Sequence, residues 1–339
     1  MNLRYMLSFL RIMKTAGLYS IMKDWEAFIR MHFLFSAYES GLLNALTTPR
    51  DRDSLLKDLD AKRPELLDAL LEVGVAAGEL ALKEGLYRIK GKRSRAVMGV
   101  SGDMLAAMIQ ANVTYYSDAY RNTADRIRGG ELGDELHKIG ALVSRFSKIV
   151  EPVIKDFVAS IVRDKNPVRV LDVGCGSGVL LKSAYESNGN ATGVGVDMDE
   201  AVVRQARENI LNWGLSDRFE IRQGDIRDIS REIAGPFHVI TLYNILYYFD
   251  EESRAALLRD LKDMLSREGV LAAAMSFRSK GMDMATANLN MVNCSLKGLT
   301  PLPELHHITS LLKQCGFGPI KVHRFMPGST FYGIVADNH

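Results

Sequence analysis

From the first residues to about residue 165, hydrophobic positions recur mostly every three or four residues, the spacing of helices that bury one face. Two such helices are predicted near 51–59 and 64–77. After them, Leu80-Ala81-Leu82 and Leu86-Tyr87-Arg88-Ile89 flank Lys83-Glu84-Gly85, which reads as a short hairpin. From about 168 the pattern changes to short β-rich runs alternating with amphipathic stretches, the signature of a parallel sheet with crossover helices. Strands are predicted at 168–173, 193–197, 218–222, 237–243, 269–276, 319–324 and 331–336. Helices are predicted from about 178, over 199–213, over 250–265, and from Pro303 to just before Gly316. The run Phe237 to Tyr243 is almost wholly of buried type, as a central strand of a parallel sheet should be. The stretch between 276 and 303 reads as a long connection.

Composition adds limits. A chain of 339 residues suits two domains, or one domain with a large helical extension, and 47% hydrophobic content supplies a sizeable core. The formal net charge of +2 provides no global pull toward nucleic acid or anionic lipid. Cys175, Cys294 and Cys315 are scattered and odd in number, with no Cys-x-x-Cys pair. Neither a disulfide framework nor a metal site is expected, and a reducing, cytoplasmic setting fits. No apolar run reaches the roughly 20 residues that span a bilayer. At the N-terminus, Leu3, Met6, Leu7 and Leu10 lie at helical spacing among Arg4, Arg11 and Lys14. The charges interrupt any signal-peptide core, which leaves an amphipathic helix that packs on its own protein, on a partner subunit or on a membrane surface.

Helix, helix, hairpin is the outline of a winged helix, so DNA binding has to be weighed. The second helix, Pro64 to Val73, would enter the major groove. It carries Glu65, Asp68 and Glu72 and no base after Arg63, so it would be repelled by phosphates. Lys83, Arg88, Lys90, Lys92 and Arg93 on the wing do not offset this. No nucleic-acid partner is expected. The apolar surplus around Met31 to Leu46 fits a core or a subunit interface better.

The chemistry-bearing pattern lies at the first strand of the back half. Val170-Leu171-Asp172-Val173 runs into Gly174-Cys175-Gly176-Ser177-Gly178. Glycines allow a tight turn and close approach of a ligand to the backbone, and the following helix offers its N-terminal amides. Asp197 closes the second strand, where an acid meets ribose hydroxyls in doubly wound folds. Gly224-Asp225-Ile226 follows the third, where the acid suits an adenine amino group and Ile226 its ring; the alternative for Asp225 is a helix N-cap. The GxGxG spacing departs from the dinucleotide GxGxxG, and Asp172 beside a pyrophosphate would repel it. A ligand with cationic groups and no phosphate suits these acids better.

These residues resemble class I S-adenosylmethionine (SAM)-dependent methyltransferases. The winged-helix-like front, linking helices near 135–163 and the ending Gly316-Phe317 with Phe331 to Ala336 are similar to the small-molecule O-methyltransferase group with an N-terminal dimerisation domain. The resemblance implies an α/β fold: a doubly wound, mostly parallel, seven-stranded SAM-binding sheet preceded by a helical winged-helix-like domain. It divides the chain into a dimerisation domain at 1–105, linking helices at 106–165 that contribute to the acceptor pocket, and a SAM domain at 166–339. It implies that Asp172, Gly174, Cys175, Gly176 and Gly178 line the methionine end of SAM, Asp197 and Met198 its ribose and adenine, and Asp225 and Ile226 its adenine. Asn244 would sit under the methyl donor and Phe146 would cover the cofactor.

The group usually supplies a histidine base after the fourth strand, and this chain has Tyr247 at that position in Leu246-Tyr247-Tyr248-Phe249. The acidic partner of that base is missing too, with Leu302 near its place. A phenol of ordinary pKa near 10 is a poor base. Tyr247 is therefore expected to act as acid or base or to hold the acceptor, unless the acceptor needs no enzymic base. His307, flanking the buried face of the last predicted helix, is the second catalytic candidate. Tyr115, Tyr116, Asn290, Met291 and Asn293 are the acceptor-pocket candidates, suited to a flat, partly polar small molecule. The expectation is O-methylation of a small, aromatic molecule by a homodimer. The alternatives are C- or N-methylation, or a winged-helix regulator that binds SAM or a ligand without turnover.

Overall fold

A computed structural model describes residues 17–134 and 136–338, together with Tyr5 and Ile12. The apolar stripe from Leu3 to Leu10 lies outside the described residues. The chain divides into two units, one ending at Ser117 and the other beginning at Asp118.

The first unit contains helices α1 (Leu18–Glu39), α2 (Arg52–Asp58) and α3 (Pro64–Ala76), strands β1 (Leu80–Lys83) and β2 (Leu86–Ile89), and helix α4 (Gly102–Ala111). Asp51 starts α2 by accepting a hydrogen bond from the Ser54 amide at 2.8 Å, and Pro64 occupies the first turn of α3. The two-residue turn Glu84-Gly85 has positive φ at both positions, the twist that suits an antiparallel hairpin. Phe33, Leu34, Leu42, Leu43, Leu55, Leu71 and Leu80 pack as the core of this unit. The segment Asn112–Tyr116 continues α4 with a wider helical turn.

The second unit carries helices α5 (Leu136–Ser147) and α6 (Glu151–Val162) ahead of its sheet. Then follow β3 (Arg169–Val173), α7 (Val179–Ser187), β4 (Thr192–Asp197), α8 (Glu200–Asn212), β5 (Phe219–Gln223), α9 (Ile226–Ile229) and β6 (Phe237–Tyr243). Next come α10 (Glu251–Met264), β7 (Leu265–Ser276), α11 (Met284–Asn293), α12 (Leu305–Gln314), β8 (Ile320–Arg324) and β9 (Phe331–Asp337). The sheet has the order β5-β4-β3-β6-β7-β9-β8, parallel except at the pairs made by β9. The seven-stranded, mostly parallel architecture expected from the alternation is the one observed.

Alternation along the strands gives the sheet two buried faces. Leu171, Val173, Ile240 and Leu242 face α10 and α12, whose Leu257, Leu258, Leu261, Ile308 and Leu312 cover them. Val170 and Val239 face α6, α7 and α8 through Ile154, Val162, Leu181, Ala206 and Ile210. Each such leucine or isoleucine contributes about 1.5–3 kcal/mol on full burial. This two-sided cover fixes the register, so the carboxyl ends of β3, β4, β5, β6 and β7 emerge along one edge. In doubly wound folds that edge holds the ligand.

The structure adds one element that the sequence reading passes over. Helix α11 lies in the stretch expected to be a connection. Asp283 caps it, accepting from the Thr286 amide at 3.0 Å. The helix is rich in asparagine and weakly periodic, so hydrophobic spacing does not announce it; the Asp-to-Thr cap does.

Candidate active site at the carboxyl edge of the sheet

Asp172, on β3, is 1% exposed. One carboxylate oxygen accepts from the Thr241 hydroxyl of the neighbouring β6 at 2.6 Å. The other, Oδ2, is buried without a hydrogen-bond partner. Burial pushes this carboxyl up to about 7; the Thr241 bond opposes the rise and the nearby charge of Asp197 adds to it. A buried oxygen left open at the edge of a sheet is a place for a donor to arrive.

The glycine loop turns directly above it. Gly174 has φ of 71°, and a Cβ there would lie 2.7 Å from Ile245 Cδ1. Gly176 also has positive φ, with no atom within 4 Å of where its Cβ would be, so the backbone faces open space. The Gly176 amide donates to Asp197 Oδ2 at 3.0 Å, which ties the loop to the end of β4. The other Asp197 oxygen accepts from the Asp199 amide at 3.2 Å, and burial raises this carboxyl as well. Cys175 is buried in the loop, and its thiol is pushed well up by burial, so it packs as a small hydrophobe.

At the end of β5, Asp225 caps α9 and is held by Arg227, whose Nε lies 3.0 Å from both carboxylate oxygens. That guanidinium keeps the carboxyl below its ordinary range. The N-cap alternative for Asp225 is the arrangement observed. Ile226 is buried within the sheet core, and Met198 is 65% exposed.

Past β6, Asn244 adopts φ of 49°, a left-handed conformation that L-residues rarely take. Its amide donates to Ala274 O at 2.9 Å, and its side-chain Oδ1 is buried without a partner. Strain and an open acceptor at one residue point to a functional position. Asp172, the loop Gly174 to Gly178, Asp197 and Asn244 form one acceptor-rich group, to which none of these residues brings a cation.

Residues 170–269 match the family model described as a methyltransferase domain. This segment is a methyltransferase domain. A ribosomal protein L11 methyltransferase from Alkaliphilus metalliredigens is 27% identical over 144 residues, 42% of this chain and 42% of its own length. The chain spans about half the length, or less, of the first curated relatives it matches. Among solved structures, the mitomycin 7-O-methyltransferase superposes with a TM-score of 0.80 at 16% identity, covering 96% of this chain and 99% of its own. Human N-acetylserotonin methyltransferase, solved in complex with SAM, gives 0.73 at 16% identity, covering 96% and 98%. At these identities the likeness establishes the fold, and it does so for nearly the whole chain.

Around the methyltransferase domain, the remaining candidates are placed as follows. Tyr247 is buried in the short turn Leu246–Tyr248 after β6, its ring 5.1 Å from that of Tyr248. Asn290 and Asn293 lie on α11 and are engaged with backbone: Asn290 Oδ1 accepts from the Leu302 amide at 2.8 Å, and Asn293 Nδ2 donates to Thr300 O at 3.4 Å. Met291, between them, is half-buried. Phe146 is half-buried on α5. Tyr115 and Tyr116 belong to the first unit, in the wide turn after α4. His307 departs from its expected placement. It lies on the exposed side of α12, with Nε2 3.0 Å from Glu251 Oε1 of α10. The helix buries Ile308, Leu311 and Leu312, and His307, at the border of that face, is turned to solvent. Two residues that the sequence reading leaves out, Arg254 and Thr300, bond the turn that carries Tyr247.

Proposed function

We propose that this chain is a SAM-dependent methyltransferase acting on a small, aromatic molecule, with oxygen as the first choice of acceptor atom. The observation that supports the reading is the open, buried Oδ2 of Asp172 near Asp197, with Asn244 Oδ1 also buried and open past the neighbouring strand, so that acceptors without a cationic side chain gather at the sheet edge. It suits a ligand with ammonium and hydroxyl donors and no phosphate. In this reading Asp172 and the glycine loop hold the methionine end, Asp197 the ribose, and Asp225 with Met198 and Ile226 the adenine. Arg227 shares Asp225 with the adenine amino group. When bound, SAM supplies a methyl group already activated on a sulfonium.

What remains for the chain is alignment and exclusion of water, which can lower a bimolecular barrier by about 7–11 kcal/mol in ideal cases. Asn244 and Phe146 complete the cofactor's surroundings, and Tyr247 faces the acceptor. As a phenol, Tyr247 holds or orients a hydroxyl better than it removes a proton. An acceptor that needs no enzymic base, an acidic phenol, an amine or a nucleophilic carbon, is therefore favoured, and C- or N-methylation is the second reading. Calorimetric titration with SAM and with its demethylated product tests the cofactor assignment. Binding of both is expected, and failure of both to bind would sink it.

The reading extends to assembly. On α1, Ile21, Trp25 and Phe28 are more than half exposed and, spaced i, i+4 and i+7, share one apolar face that a second copy of the chain would cover. Sedimentation analysis should give a dimer that Trp25→Glu with Phe28→Glu converts to monomer; a wild-type monomer refutes it. Among the described residues no helix is long and apolar enough to cross a membrane. The free cysteines suit a reducing, cytoplasmic setting.

A further inference from the structure

Three carbonyls of the turn between β6 and α10 are held from outside it. The Arg254 guanidinium, in the first turn of α10, donates through Nε to Leu246 O at 2.7 Å and through Nη2 to Thr300 Oγ1 at 2.5 Å. Thr300 in turn donates its amide to Tyr247 O at 2.8 Å and its hydroxyl to Tyr247 O at 3.0 Å, with Phe249 O at 3.3 Å. Thr300 O accepts from Asn293 Nδ2, and Asn293 is 2% exposed. One buried polar network therefore joins the turn, the start of α10, the 294–304 segment and the end of α11.

The arrangement is a costly one. Arg254 is 8% exposed, and its hydrogen bonds among the described residues go to a neutral carbonyl and a neutral hydroxyl. Burying a guanidinium without a directly bonded carboxylate is unfavourable, and burial lowers its pKa. A cation in the first turn of a helix also opposes the helix dipole. A well-packed apolar side chain would fill the space at less expense. The side chains of Leu246, Tyr247 and Phe249 are held by core packing, and what the guanidinium and hydroxyl add is fixed position for the carbonyls of the same three residues.

We propose that Arg254 and Thr300 are positioning residues that hold the turn carrying Tyr247 in its working geometry. The proposal rests on the reading of Tyr247 as the residue that faces the acceptor. Arg254 touches no reacting atom; it acts through the backbone of Leu246 and through Thr300.

The test uses the full-length chain with Arg254→Met, Arg254→Lys and Thr300→Val. Amide exchange, followed by mass spectrometry on peptides spanning 245–250, should quicken by about tenfold or more in Arg254→Met and Thr300→Val, with exchange in β3 and β6 unchanged. With radiolabelled methyl donor and a panel of hydroxylated aromatic acceptors, kcat should fall by about tenfold or more while SAM affinity holds. Arg254→Lys should recover part of both effects. Thr300→Val removes one hydroxyl without a change of volume, so it reports even if Arg254→Met fails to fold. Unaltered exchange at 245–250 in the folded variants overturns the proposal, and so does faster exchange with unaltered kcat. A wild-type chain that methylates none of the panel counts against the choice of acceptors and leaves the exchange measurement to decide the positioning claim.

Discussion

The end of β3 and the turn after β6 lie along one edge of the same sheet, yet they treat their polar groups in opposite ways. At the first, Asp172 keeps a buried oxygen open and Gly176 faces empty space. Beyond β6, the carbonyls of Leu246, Tyr247 and Phe249 are all bonded to Arg254 or Thr300, and the Asn290 and Asn293 amides hold the 300–302 backbone. One region leaves a buried acceptor open, as a ligand site would. The other bonds the backbone carbonyls of its turn, as a frame would, and keeps an open acceptor only at its border, at Asn244 Oδ1. The difference teaches that donors and acceptors near a sheet edge have to be read by what they already bond, because residue type alone does not separate a ligand contact from a brace.

The sharpest way to break this contrast is at Asp172. Asp172→Asn keeps the shape and the Thr241 bond and removes the charge. SAM affinity should fall by about 10–100-fold, the worth of a hydrogen bond to a charged group. The wild-type carboxyl, raised to about 7, is neutral at lower pH. Affinity for a cationic ligand should therefore climb from pH 5.5 to 7.5, by up to about tenfold per unit below pH 7. Calorimetry across that range checks it, and a flat profile rejects the role. Stability runs the other way. The folded value lies above the ordinary 3.8, so the native state binds the proton more tightly than the unfolded chain between roughly pH 4 and 7. The wild type loses stability as pH rises through that window, and Asp172→Asn does not. Without cofactor, the variant should melt higher than wild type at pH 8 and converge with it near pH 4.

The contrast also explains what was legible in the sequence. The glycine-loop side is written in short segments: a strand, a glycine loop and a carboxylate at each strand end, with spacing that reports its own geometry. The sheet was legible for the same reason, since runs such as Phe237 to Tyr243 are buried on both faces. The frame is assembled from residues far apart in the chain. Arg254 contacts Thr300 at a separation of 46 residues, and Thr300 bonds the Tyr247 carbonyl across 53. No local pattern marks such pairs. Helix α11 was missed because its stability comes from packing and from Asp283, which also bonds Thr330. Asp225 was legible as a cap, which is the role the structure shows.

A second test concerns the one ring in the frame region that the proposed chemistry needs. Tyr247→Phe removes a single hydroxyl and leaves every backbone bond of the turn in place. If Tyr247 serves as acid or base, turnover should drop at least about tenfold, within the usual 10²–10⁴-fold worth of such a group or just below it. Cofactor affinity should stay as in the wild type. A rise in the acceptor KM alone, with kcat preserved, assigns the phenol to holding the acceptor. Unchanged values for both would place Tyr247 wholly with the frame and move the acceptor contact to another residue.

The smallest effect is expected at His307, and it tests how far helical periodicity can be trusted. Residues that flank a buried stripe sit at its border, where a side chain reaches inward or outward according to its neighbours. On α12 the neighbour is Glu251, and the pair it makes with His307 has side chains 46% and 71% exposed. Even a fully charged pair this exposed contributes only about 0–1 kcal/mol. His307→Ala should therefore leave turnover and SAM affinity unaltered and shift the melting temperature only slightly, at any pH where the enzyme is folded. A large loss of turnover with SAM affinity preserved would instead mean that the α10–α12 pairing opens to deliver the imidazole to the acceptor. That outcome would put the imidazole back into the site and make its delivery, rather than the frame around Tyr247, the feature to explain.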